Sequence, residues 1–299
     1  MSPNASSHRA DGEQALCLLV EAMDEAIEEL RGRTAGQLRG LPTGLLDLDR
    51  ITGGLRPGQL TVLGARPSAG KSALAFTMGL HAADHVGPVL LESAEMGRIE
   101  LGIRALAGGG VGSDRLLSGR LSEVDFQRLA LRRDQLAGRP LLIDDSPVIT
   151  LAAIHARAGD QASQGGLALL IVDYLQLVVS ERRRERRELE VAEVSRGLKS
   201  LARELSVPVL AVAQLNRAVE LRADKRPLLA DLRDSGQLEQ DADLVLLLHR
   251  PSLYDLDADP CAAELIVAKH RNGQTGSVPL VWLGHRMTFA NATPVGADF

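Results

Sequence analysis

The stretch TVLGARPSAGKSALAF, residues 61–76, constrains the fold more than any other part of the chain. An apolar run with strand character enters a loop of small residues ending in Gly70-Lys71-Ser72, and an apolar helical run follows. Triphosphate binding asks for this order. Consecutive backbone N–H groups and a helix N-terminus cradle the phosphates, a lysine reaches the outer ones, and a hydroxyl ligates Mg²⁺. The cradle is assigned to Pro67, Ser68, Ala69, Gly70, Lys71, Ser72 and Ala73, with Ser72 as a metal ligand. The P-loop pattern places a glycine where this chain has Ala65, and Gly64 falls one residue early. A glycine turn that merely joins strand to helix is the plainer reading, and strand, Gly-Lys-Ser and helix together outweigh it.

The rest of the chain agrees with a P-loop core. From Leu41 onward, short apolar runs alternate with helical segments, the signature of a mostly parallel sheet covered by helices. The expected strands are Gln59–Gly64, Pro88–Leu91, Pro140–Ile143, Leu167–Val172, Pro208–Ala213, Leu244–Leu248, Ala263–Ala268 and Val278–Leu283. The last two, joined through HRNGQTG, read as an antiparallel hairpin. Ahead of this body, residues 1–14 read as disordered, and Leu16–Leu30 as an amphipathic helix carrying Leu16, Leu19, Val20, Met23, Ile27 and Leu30 on one face. A Gly/Arg/Thr-rich linker runs to Gly40. The organisation expected is therefore 1–14, a helix and linker over 15–40, a motor domain over 41–291, and a tail over 292–299.

Composition sets limits on the activity. With 45% apolar and 24% charged residues, 299 residues suit one large soluble domain with a short appendage. Aromatic residues are only 2%, which disfavours a single-strand binder working by base stacking. A net charge of −5 means that a nucleic acid would be held by local basic loops rather than by the whole protein's field. Cys17 and Cys261 are the only cysteines, too few for a disulfide framework or a zinc site. No signal peptide or membrane-length apolar run is seen, so a cytoplasmic protein is expected. Only four lysines occur, Lys71, Lys199, Lys225 and Lys269.

A P-loop enzyme also needs a carboxylate at the end of a neighbouring strand to hold the metal's water shell, and LALLIVDYLQLV supplies Asp173. A base to align water is found in LLESAEMGR as Glu95, with Glu92 as a rival three residues earlier.

Taken in order, ARPSAGKS, SAEM, IVDYLQLV, VPVLAVAQLNR, DLRDSGQLEQDADLVLLLHR and AKHRNGQTG resemble the motifs of the C-terminal, RecA-like motor domain of the DnaB replicative helicases. Alanine at the first P-loop position is usual in that family. The resemblance implies an ATP- and Mg²⁺-dependent helicase, a homohexamer with ATP between neighbours that translocates 5′→3′ on single-stranded DNA during replication. A helicase loader and primase are candidate partners. It further implies Lys71 and Ser72 on phosphate and Mg²⁺, Glu95 as catalytic glutamate, Asp173 as Walker B acid, and Gln214 as γ-phosphate sensor. Lys269 and Arg271 are the basic pair offered to a neighbour's ATP, Arg250 and Tyr254 sandwich the adenine, and Arg233, Asp234 and Gly236 form the DNA loop.

Two features stay open. The run Arg182–Arg187 either lines the ring's channel or is a solvated helix start, and the Leu16–Leu30 helix either docks on the adjacent motor or folds back on its own. The segment before Leu41 is too short for the family's N-terminal collar. A RecA-fold ATPase that binds or remodels DNA without processive unwinding is the alternative.

Overall fold

The computed structural model describes residues 17–31, 38–179 and 187–292. The segment up to Gln37 and the body from Leu38 are separate compact units. The first contains α1 (Leu19–Arg31), on which Leu19, Met23, Ile27 and Leu30 recur at helical spacing and Arg31 closes a 2.7 Å ion pair on Glu28. The expected arginine run Arg182–Arg187 lies outside the described residues, apart from the helix start at Arg187.

The body opens with α2 (Leu46–Thr52) and β1 (Leu60–Ala65), followed by α3 (Lys71–His85), β2 (Val89–Ser93), α4 (Arg98–Ala107), α5 (Ser113–Ser118) and α6 (Glu123–Leu136). Then come β3 (Leu141–Asp144), α7 (Leu151–Gly165), β4 (Leu169–Asp173), α8 (Arg187–Leu205), β5 (Val209–Gln214), α9 (Gly236–Asp241) and β6 (Leu244–His249). The chain finishes on β7 (Ala262–His270), β8 (Gly276–Leu283) and β9 (Thr288–Asn291).

These strands form one sheet in the order β3-β2-β4-β5-β1-β6-β7-β8-β9. Every pairing from β3 to β6 is parallel, and β6 to β9 are antiparallel. The hairpin of β7 and β8 is as expected; β9 is additional, and its run Thr288-Phe-Ala-Asn is too short and polar to stand out as a strand. The two edge strands, β3 and β9, are each four residues long.

β1, β2 and β4 are buried along their whole length, as helices on both faces require. Alternate residues of each strand serve opposite layers. Leu63, Leu169, Ile171, Leu210 and Val212 pack with Leu74, Met78 and Ala82 of α3, whereas Val62, Leu170, Val172, Val209 and Ala211 pack with Val194, Leu198 and Leu201 of α8. Several strands extend one or two residues beyond their expected C-terminal ends, so Ala65, Ser93, Asp173 and Gln214 are the last residues of their strands. An apolar run ends at the first polar residue in β2, β4 and β5, but the backbone ladder carries on through it.

The register also gives Glu92 and Glu95 different surroundings. Glu92 sits opposite Asp144 on the neighbouring strand and is fully buried. Arg157 of α7 bridges the two carboxylates, with Nε at 2.9 Å from Glu92 Oε1, Nη2 at 2.5 Å from Oε2, and Nε at 2.7 Å from Asp144. Burial raises the Glu92 carboxyl above its ordinary range, partly offset by Arg157. Glu92 is a structural ion, committed to this bridge.

Among the described residues no helix is long and apolar enough to cross a membrane. Cys17 and Cys261 are free thiols.

Removing the bridge should leave two adjacent carboxylates, one in the core, without compensation. Arg157→Met is expected to lose about 3 kcal/mol of unfolding free energy at neutral pH. A buried carboxyl with a raised pKa takes up its proton more readily in the folded state, so the deficit should shrink as pH falls through that pKa and widen above it. Urea unfolding of both proteins across pH 5–8 reads the difference.

Candidate nucleotide site

The site is assembled at the carboxyl ends of the parallel strands, where loops leave a sheet whose own backbone groups are already paired. Gln214 is level with Ala65, and Asp173 with Ser93. β5 lies between β1 and β4, so the acid strand is one strand removed from the P-loop strand rather than directly beside it. That spacing puts the end of β5, Gln214, between phosphate loop and acid.

The loop from Arg66 to Gly70 has a bent backbone that only certain residues permit. Ser68 (φ 64°) and Gly70 (φ 100°) are both left-handed, and Gly70 caps the N-terminus of α3. A Cβ on Gly70 would lie 2.9 Å from the Phe289 ring, which is itself buried. Arg66 anchors the loop from below. Its Nη1 donates to the Leu215 carbonyl at 2.7 Å, and its Nε and Nη2 donate to Glu220 at 2.8 and 2.6 Å.

A cleft of about 370 Å³ opens above the loop, lined by Ser68, Gly70, Lys71, Ser72, Glu95, Met96, Arg104, Trp282 and Met287 among others. Lys71 is buried and donates to Glu95 Oε2 at 2.8 Å, with its ammonium 4.9 Å from the centre of the Tyr174 ring. Ser72 hydrogen-bonds the Asp173 carboxylate, which burial pushes above its usual range. Asp173 Oδ1 has no hydrogen-bond partner among the described residues. A buried, unsatisfied carboxylate oxygen next to a serine hydroxyl fits a hard cation. Among the described residues there is no group of three or more His, Cys, Asp or Glu that could hold a metal ion.

The other sequence-derived candidates are not among the residues lining this cleft. Gln214 is exposed at the end of β5, where its backbone N–H and C=O pair with the Gln176 side chain at 3.3 and 3.2 Å. Arg250 stacks over the Trp282 ring at 4.8 Å, and Tyr254 stacks with His249 at 6.0 Å. Lys269 and Arg271 donate to the Glu239 and Gln240 carbonyls at the end of α9. Lys269 is level with Val245, hence with Val62, three residues before the P-loop end of β1. At 3.3 Å per residue that is about 10 Å along the sheet, with β6 intervening, so the pair does not reach the cradle of its own chain. Arg233 and Asp234 fall in the 3-10 segment Leu229–Ser235, and Gly236 opens α9; their side chains lie outside the described residues.

Arg104, Met96, Trp282 and Met287 were not anticipated. The last two arrive only because β8 and β9 fold back beside α3, a non-local pairing. Arg104 did leave a local trace, because it shares a helix face with the buried Leu101 and Ala107, an unusual position for a charge.

Residues 40–291 match the family described as "DnaB-like helicase C terminal domain". The replicative DNA helicase DnaB of Leifsonia xyli is 46% identical over 283 residues, 93% of this chain and 62% of that protein. The chain thus spans less than two thirds of the length of the curated relatives it matches. Of solved structures, the ATPase domain of G40P superposes with a TM-score of 0.87 at 34% identity, covering 92% of this chain and 99% of that one. A DnaB-like replicative helicase, solved in a study of its interactions with primase, gives the same TM-score and identity over 92% of this chain and 69% of that one.

The tight fit at Gly70 gives a direct check of the cradle. Gly70→Ala should cost about 1–3 kcal/mol from forcing a side chain into a left-handed backbone, and should abolish nucleotide-dependent change in Trp282 fluorescence. Gly102→Ala is the contrasting control, since a Cβ there meets nothing within 4 Å; it should stabilise α4 by about 0.5–1 kcal/mol and leave nucleotide binding intact.

Proposed function

The chain belongs to the family of DnaB-like helicase C-terminal domains, and from that premise we propose that it is the ATP- and Mg²⁺-dependent motor of a replicative DNA helicase. Copies assemble as a homohexameric ring, hydrolyse ATP at their junctions and move 5′→3′ along single-stranded DNA. One observation carries this reading. A single protomer holds both halves of a divided site: a phosphate cradle at the carboxyl edge of the sheet, and the Lys269–Arg271 pair at the other end of the strands, beyond the reach of its own cradle.

Within the cradle, Lys71 exchanges its bond to Glu95 for the outer phosphates, which releases the Glu95 carboxylate to orient and deprotonate the attacking water. Ser72 and Asp173 are the residues that would hold Mg²⁺, whose contribution is to neutralise charge on the phosphates. Gln214, at the tip of β5, is suited to sense the terminal phosphate. Arg271, with Lys269 beside it, enters the adjoining copy's cleft as the finger that offsets transition-state charge, so hydrolysis waits on contact between copies. Arg250 and Tyr254 hold the adenine. Arg233, Asp234 and Gly236 contact DNA phosphates, partly through backbone N–H groups, which reconciles a net charge of −5 with a polyanionic track.

Residues 41–291 are the motor, and the α1 segment, with its apolar stripe, is the linker helix that meets the next copy. A helicase loader and primase are the protein partners proposed.

Lys71→Ala should abolish ATP hydrolysis, and persistent turnover would refute the cradle. Arg271→Ala should lower hydrolysis by about 10³-fold or more with nucleotide affinity nearly unchanged. Mixing Arg271→Ala with Glu95→Gln protomers should recover activity, because some junctions then join an intact Glu95 to an intact Arg271; absence of recovery would remove the trans assignment. Strand separation on a forked duplex tests the helicase reading itself.

A further inference from the structure

The β7–β8 hairpin carries Lys269 and Arg271 with His270 between them, and the pairing of β6 with β7 decides which way each faces. Leu246 pairs with Val267, yet its neighbour Val245 pairs with Lys269, so Ala268 is an extra residue, a bulge. Residues opposite one another in a ladder share a face of the sheet. Val245 belongs to the α8 layer, and Leu244, the partner of His270, belongs to the α3 layer. Lys269 therefore faces the α8 layer, where its ammonium donates to the Glu239 carbonyl of α9 at 2.5 Å, and Arg271 donates to the Gln240 carbonyl beside it. Without the extra residue, strict alternation after Val267 would exchange the faces and turn both cations towards α3.

His270 is left on the opposite face from the pair, and there it fills the turn. A Cβ on Gly273 would overlap its ring, so the imidazole occupies the space that only a glycine leaves open. Its Nδ1 is shielded from solvent and has no hydrogen-bond partner among the described residues. Burial lowers the His270 pKa, a hydrogen bond with the Gln274 backbone opposes the shift, and Arg56 adds to it. The ring is therefore mostly neutral at neutral pH, a spacer and not a third cation. It ties the end of β7 to Gly273 and Gln274 across the turn, and Arg271 is the first residue of the span so closed. On the β6 side the Arg271 N–H donates to the Asp243 carbonyl at 2.9 Å. The backbone of Arg271 is thus held by the ladder on one side and by the His270 ring on the other.

We propose that His270 is a positioning residue for the finger: packed into the turn, it holds the Arg271 backbone so that the guanidinium is presented from the α9 face to the adjoining copy. The proposal rests on reading Arg271 as a finger that acts across a junction. Arg271 supplies the charge, and His270 supplies its direction.

Aiming the finger and supporting the chain's own cradle are told apart by the side of a junction on which a defect falls. His270→Ala should lower ATP turnover by about tenfold to a hundredfold, the scale for a catalytic group displaced by about 1 Å, with KM for ATP within about threefold of the unmodified chain. Mixed with Glu95→Gln protomers it should regain activity, because some junctions then join an intact cradle to a correctly held finger. Mixed with Arg271→Ala protomers it should regain none, since every junction then has a faulty finger. Recovery in this second mixture would place the defect in the cradle of the same chain and overturn the assignment. Unchanged turnover in His270→Ala would do the same, as would no recovery with Glu95→Gln where Arg271→Ala does recover. If the alanine variant does not fold, His270→Gln, which can keep a bond to the Gln274 backbone but not the ring, takes its place in both mixtures. Undiminished hydrolysis by Arg271→Ala alone would instead overturn the finger reading, and this proposal with it.

Discussion

The structure depends on β1 being hydrogen-bonded on both sides, to β5 and to β6, along nearly all its length. With its ladder complete and both faces covered, the strand has no spare donors or acceptors until it ends. The first backbone N–H groups free to meet a ligand are those after Ala65, and the left-handed turn at Gly70 aims them together at the start of α3. Parallel neighbours share this polarity, so β2, β4 and β5 deliver Ser93, Asp173 and Gln214 to the same edge. The location of the chemistry is a consequence of strand direction.

Ionic groups divide accordingly. Two clusters away from the edge are closed on themselves. Glu92 and Asp144 share Arg157, and Lys199 bonds both Asp243 and the Gly58 carbonyl. At the edge, Asp173 and Arg104 retain atoms with no partner among the described residues. Interiors rarely tolerate such atoms without a reason; Arg104 lines the cleft, and Asp173 hydrogen-bonds Ser72, which also lines it.

Much of this was legible in the chain, for reasons that differ by element. The P-loop announces itself because its phosphate contacts are local: strand, bend, lysine and hydroxyl lie within one short stretch. Asp173 stands out only beside the P-loop, because a buried strand that ends in an acid is common by itself. Residue pattern leaves Glu95 and Glu92 as rivals and only the family resemblance favours Glu95; which of them meets Arg157 depends on strand phase, and that phase needs the register with β3. The aromatic and methionine wall of the cleft was illegible because Trp282 and Met287 come from the far end of the chain through β8 and β9. β9 offers four residues with no run to flag it. Arg104 leaves only a weak trace, a charge on the apolar stripe of Leu101 and Ala107 in an arginine-rich chain.

The two margins of the sheet carry a final implication. β3 and β9 are each only four residues long, and β3 follows directly on Pro140. Such stubs offer little template for a foreign strand to zip onto. Copies of this protein therefore have poor means of joining by continuing one another's sheets, the route that leads to open-ended fibres. Any contact between copies is thereby left to side chains on helices and loops.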